Sequence, residues 1–331
     1  PDDGSERGRC CAPEDQHDAR RVADVLGIPH FTFDRRDLFQ EHVVGPFVDA
    51  YLHGETPSPC IACNRSVKLR ELFPLADRLG AELVATGHYA RVALENGKAR
   101  LFRGKDAQKD QSYFLHMLRE DELRRLTFPL GDATKAEVRA EAVARKLPGA
   151  TKGESQELCF VSSGHYASFV EQRADGRVRP GPILAPDGRA IGAHAGVHAF
   201  TVGQRKGLGV AVGKPLFVAA IDGATGAIQL GEEGDLHAGG LRLDEAVWSD
   251  DVTFPLRATV RVRSRHEGAP AVIDRAPDGG FVARFTAPVR AVSPGQVAVA
   301  YSGDRVFGGG TIVRALRSSE TNSADRQKEA S

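Results

Sequence analysis

The sequence predicts an α/β protein in which a parallel sheet flanked by helices is followed by a small, mostly strand-built domain and a C-terminal β-barrel. Three observations carry this reading. A helix, a closing glycine and an apolar strand occur in that order twice before Tyr89. After about residue 163 glycine and proline become frequent and the apolar runs shorten. From about Leu241 onward the runs alternate apolar and polar, with turn residues between them, as strands of a barrel or sandwich do.

In chain order, "EDQHDARRVADVL" (14–26) places Ala19, Val22, Ala23, Val25 and Leu26 at helical spacing. Gly27 supplies a left-handed cap, and "IPHFTF" (28–33) reads as the strand that follows. "LRELFPLADRLG" closes at Gly80 and leads into "AELVATG" (81–87), the second such pair. Helices alternating with buried strands point to a parallel sheet, whose ligands sit beyond the carboxyl ends of the strands. Gly87 and His88 stand at such an end. "TKAEVRAEAVARKL" is a further helix, with Thr134 and Glu137 at capping-box spacing. "HAFTV" and "PLFVAAID" belong to the small second domain. "RATVRVRSR", "PAVIDRA", "GFVARFT" and "QVAVAYS" are strands of the third, with turns at "PDGG" and "SGD". The divisions fall at 1–163, 164–236 and 237–316, and the polar run from 317 to 331 reads as a disordered tail.

The totals narrow the class without naming it. At 331 residues the chain can bury several cores, and 44 basic residues balance 44 acidic ones, so any nucleic-acid footprint must be local. No membrane-spanning run is present. Five cysteines are too few for a disulfide scaffold of this length, which points to a reducing, cytoplasmic setting where thiols are catalytic or metal-bound.

"TPSPCIACNRSVKL" (56–69) carries Cys60 and Cys63 at zinc-ligand spacing, but a structural site needs four ligands and the adjacent Cys10 and Cys11 make a poor second pair. A thioredoxin-like motif would need a strand before it and a helix beginning inside it. The third reading makes Cys63 a reactive thiol, with Arg65 and Lys68 at an apparent helix start to favour thiolate, and Lys152 serving Cys159 in the same way. Between Leu158 and Phe160, Cys159 can equally be a small buried hydrophobe. In "RATVRVRSR", Arg257, Arg261, Arg263 and Arg265 would project from one face of a strand, as a phosphate-contacting stripe or as plain solvated surface. "GQRKGLGVAVG" (203–213) meets neither the Walker nor the dinucleotide spacing and reads as a basic loop facing RNA or the rim of the active site.

In order along the chain, "GRCCAPEDQHDARRVADVLGIP", "TPSPCIACNRSVKL", "ATGHYAR", "KDQSYFL", "FPLG", "KGESQELCFV", "TVGQRKGLG" and "SPGQVAVAY" resemble the tRNA-specific 2-thiouridylase family, from roughly Gly8 to Leu316. The resemblance implies a Rossmann-like first domain of the adenine nucleotide alpha hydrolase type. It implies ATP, with Mg2+, as activator of the 2-oxygen of the wobble uridine in tRNAs for Lys, Glu and Gln, and a sulfur-donor protein that loads a persulfide. On matched positions, Cys159 is the persulfide carrier and Cys63 the nucleophile that closes a disulfide with it as sulfur is released. Gly87 is the ATP-side residue. Ser58, Pro59 and Cys60 meet the target base, while His88, Lys109, Asp110, Gln111, Arg263, Ser264 and Gln296 lie on the tRNA side. No metal site is implied.

Two departures stand out. Cys60 occupies a position where some members carry aspartate, and Ser264 one where many carry an aromatic ring. The S-G-G-x-D-S phosphate loop of the family occurs nowhere in the 331 residues, and the chain starts at Pro1 with Met117 its only methionine, so an upstream segment bearing that loop is expected. The rival readings are a catalytically inactive tRNA-binding protein and a zinc-dependent RNA-binding module built on Cys60 and Cys63.

Overall fold

The computed structural model describes residues 13–153, 158–161, 165–210 and 213–320. The first helix spans Pro13–Leu26, and Gly27 closes it in the left-handed region at φ 69°. The amides of Gly27 and Ile28 return to the carbonyls of Asp24 and Ala23. The strand expected over 28–33 does not form. Residues 28–35 lack regular structure, and Phe31 is 75% exposed, with Ile28 and Phe33 also in solvent. A strand is held by the ladder beside it, and among the described residues none lies against this segment.

The second helix-to-strand unit does form. Helix Pro59–Cys63 continues without a break through a π-helical stretch, Asn64–Leu69, into Arg70–Leu79, and Gly80 ends it at φ 64°. Strand β1, Val84–Ala85, follows and is shorter than the apolar run suggests. Strands β2, Ala90–Glu95, and β3, Lys98–Arg103, form a hairpin around Asn96-Gly97, both at positive φ. Asn-Gly is a strong hairpin signal, because both residues adopt positive φ readily. Strand β4, Leu126–Thr127, pairs in parallel with β1, and these two make up the described part of the parallel sheet. Helix Lys135–Ala144 starts as its capping box predicts: Thr134 Oγ1 accepts from the Glu137 amide at 3.2 Å and the Glu137 carboxylate accepts from that of Thr134 at 2.6 Å.

The central domain is a four-stranded sheet of β5 (Gly181–Leu184), β6 (Ala190–His194), β7 (Phe217–Asp222) and β8 (Ala227–Gly231), in the order β6-β5-β8-β7. Its core gathers Ile183, Phe200, Val218, Ile228 and Leu230.

The last domain is a closed barrel. Its strands are β9 (His237–Trp248), β10 (Leu256–Arg261), β11 (Ala269–Arg275), β12 (Phe281–Arg290), β13 (Val297–Ser302) and β14 (Arg305–Leu316). The ring runs β13-β10-β11-β12-β9-β14 and returns through β14–β13, every pair antiparallel. Leu241, Leu243, Val260, Ile273 and Ile312 fill it, each almost wholly buried. Closure leaves no sheet edge among these six strands, and β14 pairs in addition with β3, at Arg305 and Phe102. A second core crosses the domain boundary: Leu101, Tyr113 and Leu115 of the first domain pack with Val297, Val299 and Tyr301 of the barrel. The two domains therefore share one buried interior, to which Val84 of β1 and Leu126 of β4 both belong.

Of the expected tail, 317–320 are held by Glu320, whose carboxylate accepts from Arg314 at 2.8 Å and from the Arg317 amide at 2.7 Å. Residues 321–331, and with them the rest of the tail, lie outside the described residues, as do Cys10 and Cys11.

Candidate active-site cleft

The sequence places proline at N1 of the helix Pro59–Cys63, where its missing N–H costs nothing, and Ser58 just before it. Cys60 therefore stands in the first turn and is exposed, whereas Cys63 lies at the end of this segment and is half-buried. The expectation that Cys63 opens the helix is corrected: the helix begins four residues earlier, because Pro59 initiates it. Cys63 sits where the helix widens into the π-helical stretch, a local geometry common at functional sites. Asn64, buried beside it, donates from Nδ2 to the Phe114 carbonyl at 3.2 Å.

The barrel loop between β12 and β13 holds this segment. Gln296 donates from Nε2 to the carbonyl of Thr56 at 2.9 Å and to that of Pro57 at 3.4 Å, while the Thr56 amide donates to Pro294 O at 2.9 Å. Gly295, at φ 83°, allows the approach, since a Cβ there would lie 2.9 Å from Thr56 N. The Tyr113 hydroxyl, fully buried, donates to Val297 O at 2.7 Å and is hydrogen-bonded to Ser58. Burial pushes its pKa up, so it remains a phenol.

The "KDQ" segment is likewise built in. Both carboxylate oxygens of Asp110 are engaged: Oδ1 accepts from the amides of Gly104 at 3.2 Å and Ser112 at 3.0 Å, and Oδ2 faces Arg261 Nη1 at 3.2 Å. Gln111 exchanges bonds with Tyr89, its Oε1 accepting from Tyr89 N at 2.9 Å and its own amide donating to Tyr89 O at 2.8 Å.

Just past β1, Gly87 is exposed and His88 half-buried. His88 Nδ1 meets Thr86 Oγ1 at 2.8 Å and its ring stands edge-on to Phe128. Burial, with a smaller push from Lys68, lowers its pKa to about 4, so at neutral pH it is an uncharged imidazole.

These segments line one cleft of about 1250 Å³. Ser58, Pro59, Cys60, Gly87, Lys109, Asp110, Gln111, Ser264 and Gln296 all contribute to its wall. His88, Arg263, Cys63 and Cys159 do not face it directly, although Leu158, next to Cys159, does. Lys135, Arg139, Lys152 and Arg265 also line it, and Asp110, already paired, is its one carboxylate among the described lining residues. The cleft is thus locally basic in a chain of zero net charge. Lys135 and Arg139 were not singled out by the sequence reading. Their i,i+4 spacing on the capped helix is the signal that could have found them.

The arginine stripe is corrected. Strand β10 ends at Arg261 and a turn follows, so Arg263 and Arg265 point to solvent from the turn while Arg261 points inward with its side chain 11% exposed. Lys152 is also reassigned: its ammonium is paired with Asp15 and Asp18 of the first helix, which raises its pKa, so its charge is already compensated. Arg139 donates to the Lys152 carbonyl at 2.9 Å. Cys159 sits on a short turn whose next residue, Phe160, packs edge-on against Phe39 and Phe47, and no disulfide joins Cys159 to Cys63. The described residues of the glycine-rich loop after Gly203 lie in the central domain and do not line the cleft. Around Cys60 and Cys63, and elsewhere among the described residues, no group of three or more His, Cys, Asp or Glu side chains gathers as a metal site would require.

An ATP site is tested by the same geometry. Gly87 leaves room on the cleft wall, since a Cβ there would be 3.9 Å from Leu130 Cδ1. The ring of backbone amides that a triphosphate needs is not supplied: no glycine-rich strand-to-helix turn stands at the carboxyl end of β1 or β4. Among the described residues, the end of β1 offers space beside Gly87 and no such ring for the phosphates.

The chain thus joins a Rossmann-like domain, a small central β domain and a closed barrel, with the first domain and the barrel supplying most of the wall of one basic cleft. A family model described as "tRNA methyl transferase HUP domain" matches residues 2–163, "tRNA methyl transferase PRC-barrel domain" matches 167–232, and "Aminomethyltransferase beta-barrel domain" matches 238–312. The tRNA-specific 2-thiouridylase MnmA of Sorangium cellulosum is 70% identical over 323 residues, 96% of this chain and 84% of that protein. Those of Chloroflexus aurantiacus and Moorella thermoacetica are each 45% identical, over 94% and 92% of this chain and 88% and 86% of theirs. The chain belongs to the tRNA-specific 2-thiouridylase family. Among the described residues no helix is long and apolar enough to cross a membrane.

Proposed function

We propose that this protein replaces the 2-oxygen of a wobble uridine in tRNA with sulfur, in the cytoplasm, using a persulfide on Cys159 loaded by a donor protein. The observation that carries the proposal is the convergence of Ser58–Cys60, Lys109–Gln111, Ser264 and Gln296 on one basic cleft in a member of this family. A uracil carbonyl oxygen is a poor leaving group, and ATP would supply the adenylate that makes it one.

The chain's own residues have distinct parts. Lys109, Arg263 and Arg265 offer cations to RNA phosphates at the cleft mouth. Neutral His88 offers a hydrogen bond near Gly87 without adding charge. Ser58, Pro59 and Cys60 present the first helical turn to the extruded base, whose extraction from the stack is the usual requirement for chemistry on a nucleobase. The terminal sulfur of the Cys159 persulfide bonds to C2 while the bond from C2 to the activated 2-oxygen breaks, that oxygen leaving on the phosphate of AMP. Cys63 thiolate then attacks Cys159 Sγ: the S–S bond to the transferred sulfur breaks, a Cys63–Cys159 disulfide forms, and an external dithiol returns both to thiols. Cys60 puts a thiol on the first helical turn where some family members carry aspartate, so at this position the chain has no carboxyl to pass a proton near the target base.

The experiment is thiouridine formation in tRNAs for Lys, Glu and Gln, assayed with a chain that includes an S-G-G-x-D-S segment and a persulfide donor. Thiolation that persists in Cys159→Ser would overturn the proposal. The zinc-dependent alternative predicts stoichiometric zinc by metal analysis, and this reading predicts none.

A further inference from the structure

One side chain that does not line the cleft bonds to two residues that do, Asp110 and Ser264. Arg261, the last residue of β10, turns its guanidinium inward between the barrel and the first domain. Each of its three nitrogens is committed. Nε donates to His266 O at 2.8 Å, Nη2 donates to Ser264 O, and Nη1 donates to Asp110 Oδ2 at 3.2 Å. Asp110, with its side chain only 3% exposed, in turn receives the amides of Gly104 and Ser112. The guanidinium lies 5.8 Å from the ring centroids of both Tyr113 and Tyr301, within reach of a cation–π contribution.

We propose that Arg261 is a positioning residue that locks the RNA-side turn Arg263–His266 of the barrel and the Lys109–Gln111 segment of the first domain into one rigid frame. The two segments come from different domains, and the Arg261 guanidinium bonds to both: to the carbonyls of Ser264 and His266 on one side and to the Asp110 carboxylate on the other. Planar, forked donors suit the task because one side chain can satisfy two carbonyls and a carboxylate at fixed angles, which an ammonium cannot. With its nitrogens turned inward, Arg261 adds no phosphate contact of its own. Arg263, two residues on and exposed, is placed to make one, its hydrogen bond among the described residues being a 3.4 Å contact to Arg290 O.

The inference rests on the tRNA reading for its functional consequence and not for its structural one, and the test has one arm for each. In the absence of RNA, hydrogen exchange is compared between the native chain and Arg261→Met. Faster exchange is expected together at 104–112 and at 262–266, with Val297–Ser302 still protected. In the second arm, tRNA affinity is measured against salt concentration. Arg261→Met is expected to bind about tenfold more weakly, the scale of losing one or two charge-assisted hydrogen bonds, with the salt slope of the native chain. Arg261→Lys should recover part of the affinity. Exchange that changes in only one segment, affinity that stays native, or a slope that falls as far as in Arg263→Ala overturns the proposal, the last by making Arg261 a direct phosphate ligand. Should Arg261→Met fail to fold, Asp110→Asn carries the same comparison: loosening at 262–266, across the domain boundary, supports the frame and unchanged exchange there refutes it. If the native chain binds no tRNA, the proposed function fails while the exchange arm still decides the frame.

Discussion

Acid should destabilise the core shared by the first domain and the barrel through His116, whose neighbours Leu115 and Met117 belong to it. This residue follows "KDQSYFL", is buried, and meets the Tyr113 carbonyl through Nδ1 at 3.0 Å. Burial lowers its pKa from 6.5 to about 4, with the field of Arg65 adding to the effect and the hydrogen bond to Tyr113 opposing it. The folded value is the lower one, so the unfolded chain takes up the proton first. The stabilisation is complete above about pH 6.5, is lost as pH falls, and is exhausted near pH 4. A shift from 6.5 to about 4 is worth about 3 kcal/mol in full, of which about 2 kcal/mol disappears between pH 7 and pH 5. Urea unfolding of the native chain and of His116→Gln at those two pH values isolates it, because every other titrating group is common to both. The native chain should lose about 2 kcal/mol more than the variant on acidification. Equal losses would refute the assignment of a buried, neutral imidazole at this position.

Cys63→Ser and Cys159→Ser should each abolish thiouridine formation, whereas Cys10→Ser and Cys11→Ser should not; substantial product from either of the first two sinks their roles. Arg263→Ala should weaken tRNA binding and reduce the logarithmic salt slope by about 0.9, one phosphate's worth, and an unchanged slope makes that arginine plain surface. Since His88 titrates near pH 4, native and His88→Gln chains should show the same pH dependence of tRNA binding between pH 6 and 8. A difference in that range would mean that the imidazole is charged where RNA binds. Release of pyrophosphate from ATP, dependent on tRNA, is expected from a chain that includes an S-G-G-x-D-S segment and not from these 331 residues alone; equal rates would place the nucleotide's phosphates elsewhere.

Local signals determined a good part of this protein. The capping box at Thr134 and Glu137, the closing glycines at 27 and 80, and the alternation from Arg257 to Ser302 each specify an element through contacts within a few residues, so the helices and most barrel strands could be read directly. The ordered motifs likewise gave the candidate residues that line one cleft. Other features depended on partners distant in the chain. "IPHFTF" has strand-like composition and still forms no strand, because pairing is a property of two segments and no described one lies beside it. The arginine stripe looked uniform by period, but β10 ends at Arg261, where the carboxylate of Asp110, supplied by another domain, draws one arginine inward and leaves Arg263 and Arg265 outside. Lys152 read as a cation serving Cys159 until Asp15 and Asp18 of the first helix claimed it. Periodicity reports which way a side chain can point; which polar group meets it there is set by long-range packing, and that belongs to the tertiary structure alone.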